Sequence, residues 1–258
     1  MRLCADAINN APHQSSRSTR AAPPTTPHAM LARFHAAMVD LDGTLIDTLG
    51  DFELALNRML RDFGHAPVER SFVERTVGKG SEYLIACTLE YAVNSPLDQS
   101  NIAQTATKNI AFEAAYASYQ QHYATVSGQA SVVYAGVVQG LQCMQAAGLQ
   151  LACLTNKPTA FAMALLQAKG LDGYFTHVFG GDAFDRKKPD PLPLLKTCEA
   201  LGTLPAHTLM VGDSSNDAQA AHAAGCPLVL VTYGYNHGQD IRLERALAHV
   251  DSLADIVP

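Results

Sequence analysis

The sequence predicts an α/β protein, a doubly wound parallel sheet of Rossmann-like design interrupted by an all-helical insertion. After Gly136, helix-length segments and short apolar runs alternate to the end of the chain, the pattern of parallel strands covered by helices on both faces. Residues 50–130 instead carry helical spacing with almost no strand signal. A chain of 258 residues, 48% hydrophobic and 16% charged, can bury a sizeable core and carry one insertion.

Residues 1–33 are rich in Pro, Ser, Thr and Ala, hold four Arg against one Asp and show neither period, so a disordered tail is expected. The stretch lacks the apolar core of a secretory signal, although its Arg-rich, acid-poor character imitates an organelle transit peptide. Met30, just before the first organised segment, offers an alternative start. Residues 36–41 then read as a buried strand running into the loop Asp40-Leu41-Asp42-Gly43-Thr44. Within 51–63, Phe52, Leu56, Met59, Leu60 and Phe63 recur at helical spacing until Gly64 stops the run. Further helical patterns cover 68–76, 81–93 and 101–125. Beyond them the expected helices are 137–147, 159–169, 191–201 and 217–224, and the expected strands 149–155, 177–179, 208–212 and 228–232. The expected division is a tail (1–33), a core (34–49 with 131–258) and a helical insertion (50–130).

A formal charge of −6 without any basic run argues against a nucleic-acid binder, whose affinity comes from clustered Lys and Arg. The six cysteines are scattered, without a Cys-x-x-Cys pair or zinc-ligand spacing, which suits a reducing, cytoplasmic setting. The longest apolar stretches, such as 227–233, are too short to cross a bilayer. A monomer or homodimer is expected, with a small molecule as partner.

Unusual residues gather at four strand ends: Asp40 and Asp42; Thr155-Asn156-Lys157; Lys188; and Asp213 with Asp217. Singly, each reads as a turn, a cap or a solvated charge. Together, three carboxylates at one sheet edge would repel one another unless a cation sat among them, and a hard divalent ion fits. Mg²⁺ needs only a few oxygen ligands, so Asp40, Asp213 and one backbone carbonyl suffice, and the expected ligand set is Asp40, Asp42 and Asp213. A Ca²⁺-binding EF-hand fails on register, since Leu45 stands where its glycine must be and a strand precedes the loop.

The stretches Asp40-Leu41-Asp42-Gly43-Thr44-Leu45-Ile46-Asp47-Thr48, Leu154-Thr155-Asn156-Lys157-Pro158, Lys187-Lys188-Pro189-Asp190-Pro191 and Val211-Gly212-Asp213-Ser214-Ser215-Asn216-Asp217 resemble, in order and spacing, the four motifs of the haloacid dehalogenase-like hydrolases. The resemblance runs over residues 35–258 and implies a hydrolase core with the helical insertion as a mobile cap. It implies that Asp40 attacks phosphorus to form an aspartyl-phosphate and that Asp42 serves as general acid and then base. Thr155, Asn156 and Lys188 would hold the phosphate, Asp213 the Mg²⁺, and Asp217 would either support the metal site or orient Lys188. An acid two residues after the nucleophile favours phosphoryl chemistry over dehalogenation.

Two further stretches, Val77-Gly78-Lys79-Gly80 and Tyr233-Gly234-Tyr235-Asn236-His237-Gly238, resemble those of bacterial phosphoglycolate phosphatases. That likeness implies a substrate with a carboxylate two carbons from its phosphate, for which Lys79 is a candidate partner in the cap. A phosphatase for another small metabolite such as a sugar phosphate, a phosphomutase and a non-catalytic binding protein stay open at this point.

Overall fold

The computed structural model describes residues 31–94 and 111–256. Most of the expected tail, Cys4 and the start of the helical pattern at 101–125 lie outside the described residues. Leu31 is 1% exposed and packs with Phe34 into the core, so the packed chain begins ahead of the expected boundary at residue 33.

The central strand β1 (Ala36–Val39) is wholly buried. A short β2 (Ile46–Asp47) follows, then the helices α1 (Leu49–Asp62), α2 (Arg70–Thr76), α3 (Ser81–Asn94) and α4 (Phe112–Val126). The chain returns through β3 (Val132–Val133), which pairs antiparallel with β2 and so closes the helical excursion at its base. Alternation then sets in: α5 (Val137–Ala146), β4 (Gln150–Leu154), α6 (Thr159–Ala168), β5 (His177–Phe179), α7 (Leu192–Ala200), β6 (Thr208–Gly212), α8 (Ser215–Ala224), β7 (Leu228–Val231) and β8 (Ala248–Val250). The main sheet has the order β5-β4-β1-β6-β7-β8, and every neighbouring pair is parallel.

Successive side chains of a strand face opposite ways. Along β1, Ala37 and Val39 join the apolar layer under α5 and α6, while Met38 joins the layer under α7 and α8. Burial on both faces explains why the core strands read as unbroken apolar runs. The helices between β2 and β3 have an apolar cluster of their own, in which α1 sets Phe52, Leu56, Met59 and Leu60 against Tyr119 and Tyr123 of α4. Asp51, in the first turn of α1, is fully buried and accepts the N–H groups of Gly128 and Ala130, each at 2.7 Å. That carboxylate ties the start of the helical segment to its exit. The β2–β3 pair and β8 are not expected from sequence, because two or three residues are too few to show a period of two and, unlike the equally short β5, none of them is placed by the alternation of helices and strands around it.

From β1 the chain moves outward to β4 and β5, then crosses back to β6 on the other side of β1 and continues to β8. That reversal opens a crevice beyond the carboxyl ends of β1 and β6, where open α/β sheets bind ligands. Val39 lies in register with Val211, so Asp40 and Asp213 leave adjacent strands into this crevice.

Candidate active site

Asp40 is anchored by its own N–H, which donates to Val211 O at 2.9 Å. The chain then folds tightly, Leu45 N–H and Ile46 N–H both returning to Leu41 O at 2.9 and 3.1 Å. Gly43 holds φ +84°, and a side chain there would stand 2.2 Å from Asp213 Oδ2. Only glycine lets this loop approach the end of β6 so closely. Thr44 Oγ1 donates to Asp213 Oδ1 at 2.8 Å, and Tyr235 N–H donates to Asp213 Oδ2 at 2.6 Å.

The carboxylates of Asp40, Asp213 and Asp217 converge, each offering an oxygen within 4.8 Å of the others. Burial pushes the Asp40 carboxyl up to about 7 against the pull of Lys188, with Asp217 and Asp42 raising it further. Asp213 is raised well above the carboxylate range by burial, then by Asp217 and Asp40. Buried carboxylates crowded in this way fit a hard divalent metal, whose charge would offset their mutual repulsion. The Asp42 carboxylate stands apart from this group, which leaves its backbone carbonyl as the atom consistent with the expected metal set.

Lys188 Nζ sits in the same knot, 2.7 Å from Asp217 Oδ1 and 2.9 Å from Asp40 Oδ1, and donates to Leu154 O at 2.8 Å. Burial opposes its charge, yet Asp217 and Asp40 outweigh the burial and raise its pKa above the ordinary lysine value. The contact with Asp40 lacks hydrogen-bond geometry, so Asp40 Oδ1 is buried without a hydrogen bond. Asp217 is the better satisfied partner. Its Oδ2 accepts from Ser214 Oγ at 2.8 Å and from Ser214 N at 3.1 Å, and the second of these, with Asp217 N–H donating back to Ser214 Oγ at 3.4 Å, forms the capping box that starts α8.

Thr155 and Asn156 follow β4 directly. Thr155 Oγ1 accepts Lys157 N–H at 3.2 Å. The Asn156 amide is spent on the protein: its Oδ1 accepts Lys188 N–H at 3.0 Å, and its Nδ2 donates to Lys188 O at 2.8 Å and to Gly78 O at 3.0 Å. It therefore positions Lys188 and grips the helical segment, leaving the backbone N–H of Asn156 as the group open to an anion. The α6 helix starts three residues later, at Thr159, with Pro158 as its cap, so Asn156 is not itself at the helix start.

Sequence pattern alone gives Lys157 no role, although it stands inside the Thr155-Asn156-Lys157-Pro158 stretch. Its ammonium lies 3.0 and 3.2 Å from the two carboxylate oxygens of Asp42, and over the rings of Phe52 and Tyr123 at 4.3 and 4.7 Å. Lys79 is not brought to the site. Positive φ at Gly78 and Gly80 turns the backbone of this stretch toward the crevice, while the exposed Lys79 ammonium rests 5.0 Å from the ring of Tyr83. A cavity of about 30 Å³ between core and helices is lined by Asp40, Asp42, Phe52, Gly78, Thr155 and Lys157, among others.

The stretch from Tyr233 to Gly238 closes the site from β7. Tyr233 Oη donates to Thr44 O at 2.8 Å, and Asn236 Oδ1 accepts Ser215 N–H at 2.8 Å. Tyr235 Oη donates to Asp47 Oδ1 at 2.6 Å and accepts Thr48 N–H at 2.8 Å, joining the metal-site loop to the base of α1.

The sequence model of the haloacid dehalogenase-like hydrolases matches residues 37–231. A phosphoglycolate phosphatase of Thiobacillus denitrificans is 40% identical over 220 residues, 85% of this chain and 92% of its own. Its namesake from Nitrosospira multiformis is 40% identical over 206 residues, 80% and 86% of the two chains. Among solved structures, that of a predicted phosphoglycolate phosphatase from Haemophilus somnus superposes with a TM-score of 0.80 at 32% identity, covering 87% of this chain and 96% of that one. The chain belongs to the haloacid dehalogenase-like hydrolases. It is an enzyme, of the phosphoric monoester hydrolase type.

Proposed function

We propose that this hydrolase is a Mg²⁺-dependent phosphatase that converts 2-phosphoglycolate to glycolate and phosphate through an aspartyl-phosphate. The observation that carries the reading is the meeting of Asp40, Asp213 and Lys188 in one crevice, with Asp42 two residues beyond Asp40. The relatives named phosphoglycolate phosphatase, at 40% identity, support the choice of ester.

An Asp40 oxygen attacks phosphorus, and the bond from phosphorus to the ester oxygen breaks. Asp42 delivers a proton to the departing alkoxide, then removes one from the water that hydrolyses the aspartyl-phosphate, so both residues return to their starting state. General acid–base assistance of this kind contributes about 10²–10⁴-fold. Lys188 Nζ, Thr155 Oγ1 and the Asn156 N–H hold the non-bridging oxygens, where charge redistributes during transfer. Asp40 and Asp213, with the Asp42 carbonyl, would hold Mg²⁺, whose charge would offset the mutual repulsion of nucleophile and phosphate. Asp217 keeps Lys188 oriented.

Residues 50–130 act as a cap on this chemistry. A cavity of about 30 Å³ has room for only one or two waters, so the helices must swing away to admit an ester and close to exclude solvent. The reading puts the enzyme in the cytoplasm; the described cysteines are all free, and no described helix is long and apolar enough to cross a membrane.

The test is phosphate release from a panel containing 2-phosphoglycolate, sugar phosphates and an aryl phosphate, with Asp40→Asn and Asp42→Asn alongside. 2-Phosphoglycolate should be the preferred ester and both variants inactive with the fold intact. Activity retained within tenfold in either variant would remove the mechanism.

A further inference from the structure

We propose that the Lys157 ammonium selects the substrate, by taking the second anion of the ester, a carboxylate two bonds from the scissile oxygen, in exchange for Asp42. The inference rests on the function proposed above and relocates its specificity from Lys79 to Lys157.

The first ground is place. Among the described residues that line the cavity Lys157 is the one Lys or Arg, whereas Lys79 is exposed and turned onto Tyr83. A general acid must touch the bridging oxygen of the ester, and Lys157 Nζ stands 3.0 Å from that acid's carboxylate. In 2-phosphoglycolate the carboxylate begins two bonds beyond the same oxygen. A cation beside Asp42 is therefore beside the acid group of the leaving alkoxide.

The second ground is environment. The Lys157 side chain is 2% exposed, and Phe52 of the cap helix α1 and Tyr123 of α4 present ring faces to its ammonium at 4.3 and 4.7 Å. The rings hold the charge without competing for it as an anion would. The anion that Lys157 holds in this structure is Asp42, gripped by both oxygens. A carboxylate so engaged is poorly placed to bring a proton to a leaving group. An ester that carries its own carboxylate can displace Asp42 from Lys157, so the acid is freed only when the right tail is present. Because the two rings belong to the helical segment, the same contact is complete only with the helices closed.

The experiment compares kcat/KM for 2-phosphoglycolate and for ethyl phosphate, an ester of similar size without the carboxylate, in the Mg²⁺-loaded enzyme and in Lys157→Gln and Lys157→Arg. Wild type should favour 2-phosphoglycolate. Lys157→Gln should lose at least 100-fold on 2-phosphoglycolate and no more than about tenfold on ethyl phosphate, and Lys157→Arg, which keeps the charge, should restore part of the preference. Equal losses on both esters would reduce Lys157 to a structural tie for Asp42 and overturn the assignment. A wild-type enzyme without preference for 2-phosphoglycolate would instead overturn the proposed function. Should Lys157→Gln not fold, Lys157→Met, of like length and apolar against Phe52 and Tyr123, carries the same comparison.

Discussion

Gly43→Ala adds a single carbon to the loop after β1, and the structure says where that carbon goes. It would stand 2.2 Å from Asp213 Oδ2 and 2.9 Å from Tyr235 Cδ2, where ordinary contact begins near 3.4 Å, so the Asp213 carboxylate has to retreat by about 1 Å. The residue also keeps φ +84°, a left-handed conformation that costs a non-glycine residue roughly 1–2 kcal/mol. The strain alone should lower the melting temperature by roughly 2–8 °C, at about 2–4 °C per kcal/mol for a protein near this size. The functional loss is expected to be larger than the loss of stability. Misplacing a group of the reacting constellation by an ångström costs on the order of 100-fold in rate. Steady-state phosphate release, with Mg²⁺ titrated at fixed substrate, should show a fall of about that size together with weaker Mg²⁺ activation. A folded Gly43→Ala enzyme with wild-type turnover and Mg²⁺ response would refute the packing of this loop against the end of β6.

Three further outcomes are expected. Asp51→Asn replaces one of the two acceptor oxygens of this buried carboxylate by a donor, so the N–H of either Gly128 or Ala130 loses its partner; unfolding should be easier by about 1–3 kcal/mol, and an unchanged denaturant midpoint would contradict the staple. Tyr235→Phe removes the 2.6 Å bond to Asp47 and orphans Thr48 N–H, so stability should drop by about 2–4 kcal/mol in a thermal melt, more than a solvent-exposed tyrosine would cost. The third concerns pH. Burial raises Asp40 from 3.8 to about 7, so the folded state binds its proton more tightly than the unfolded chain does. That contribution to stability is complete below about pH 4 and is lost as pH rises toward 7. Mg²⁺ requires the ionised carboxylate, so the rise in melting temperature on replacing EDTA by Mg²⁺ should be greater at pH 7.5 than at pH 5. An equal rise at both values would show that Asp40 does not govern the site.

Much of this molecule is legible in its sequence. The apolar run of β1 and the 52, 56, 59, 60 spacing of α1 identify a doubly buried strand and a one-sided helix, because burial on both faces leaves a strand apolar throughout while burial on one side imposes a period of 3.6 on a helix. The cluster of Asp40, Asp213 and Lys188 followed from motifs at strand ends, and the crevice between β1 and β6 brings them together. Other features had no local signature. The β2–β3 pair is too short to show a pattern, and the early burial of Leu31 depends on a hollow built by distant segments.

The division falls between chemistry and partnership. Sequence by itself determined the fold class, the acidic and basic groups at the strand ends and the order in which they occur, since these depend on residue type and spacing along one chain. Tertiary structure decided which lysine faces the crevice. Lys79 and Lys157 are the same residue type, both within motif-like stretches, but positive φ at Gly78 and Gly80 leaves one at the surface, while Phe52, Tyr123 and Asp42, from three separate segments, enclose the other. A charge is exposed or enclosed according to the surfaces brought around it, and those surfaces exist only once the chain has folded.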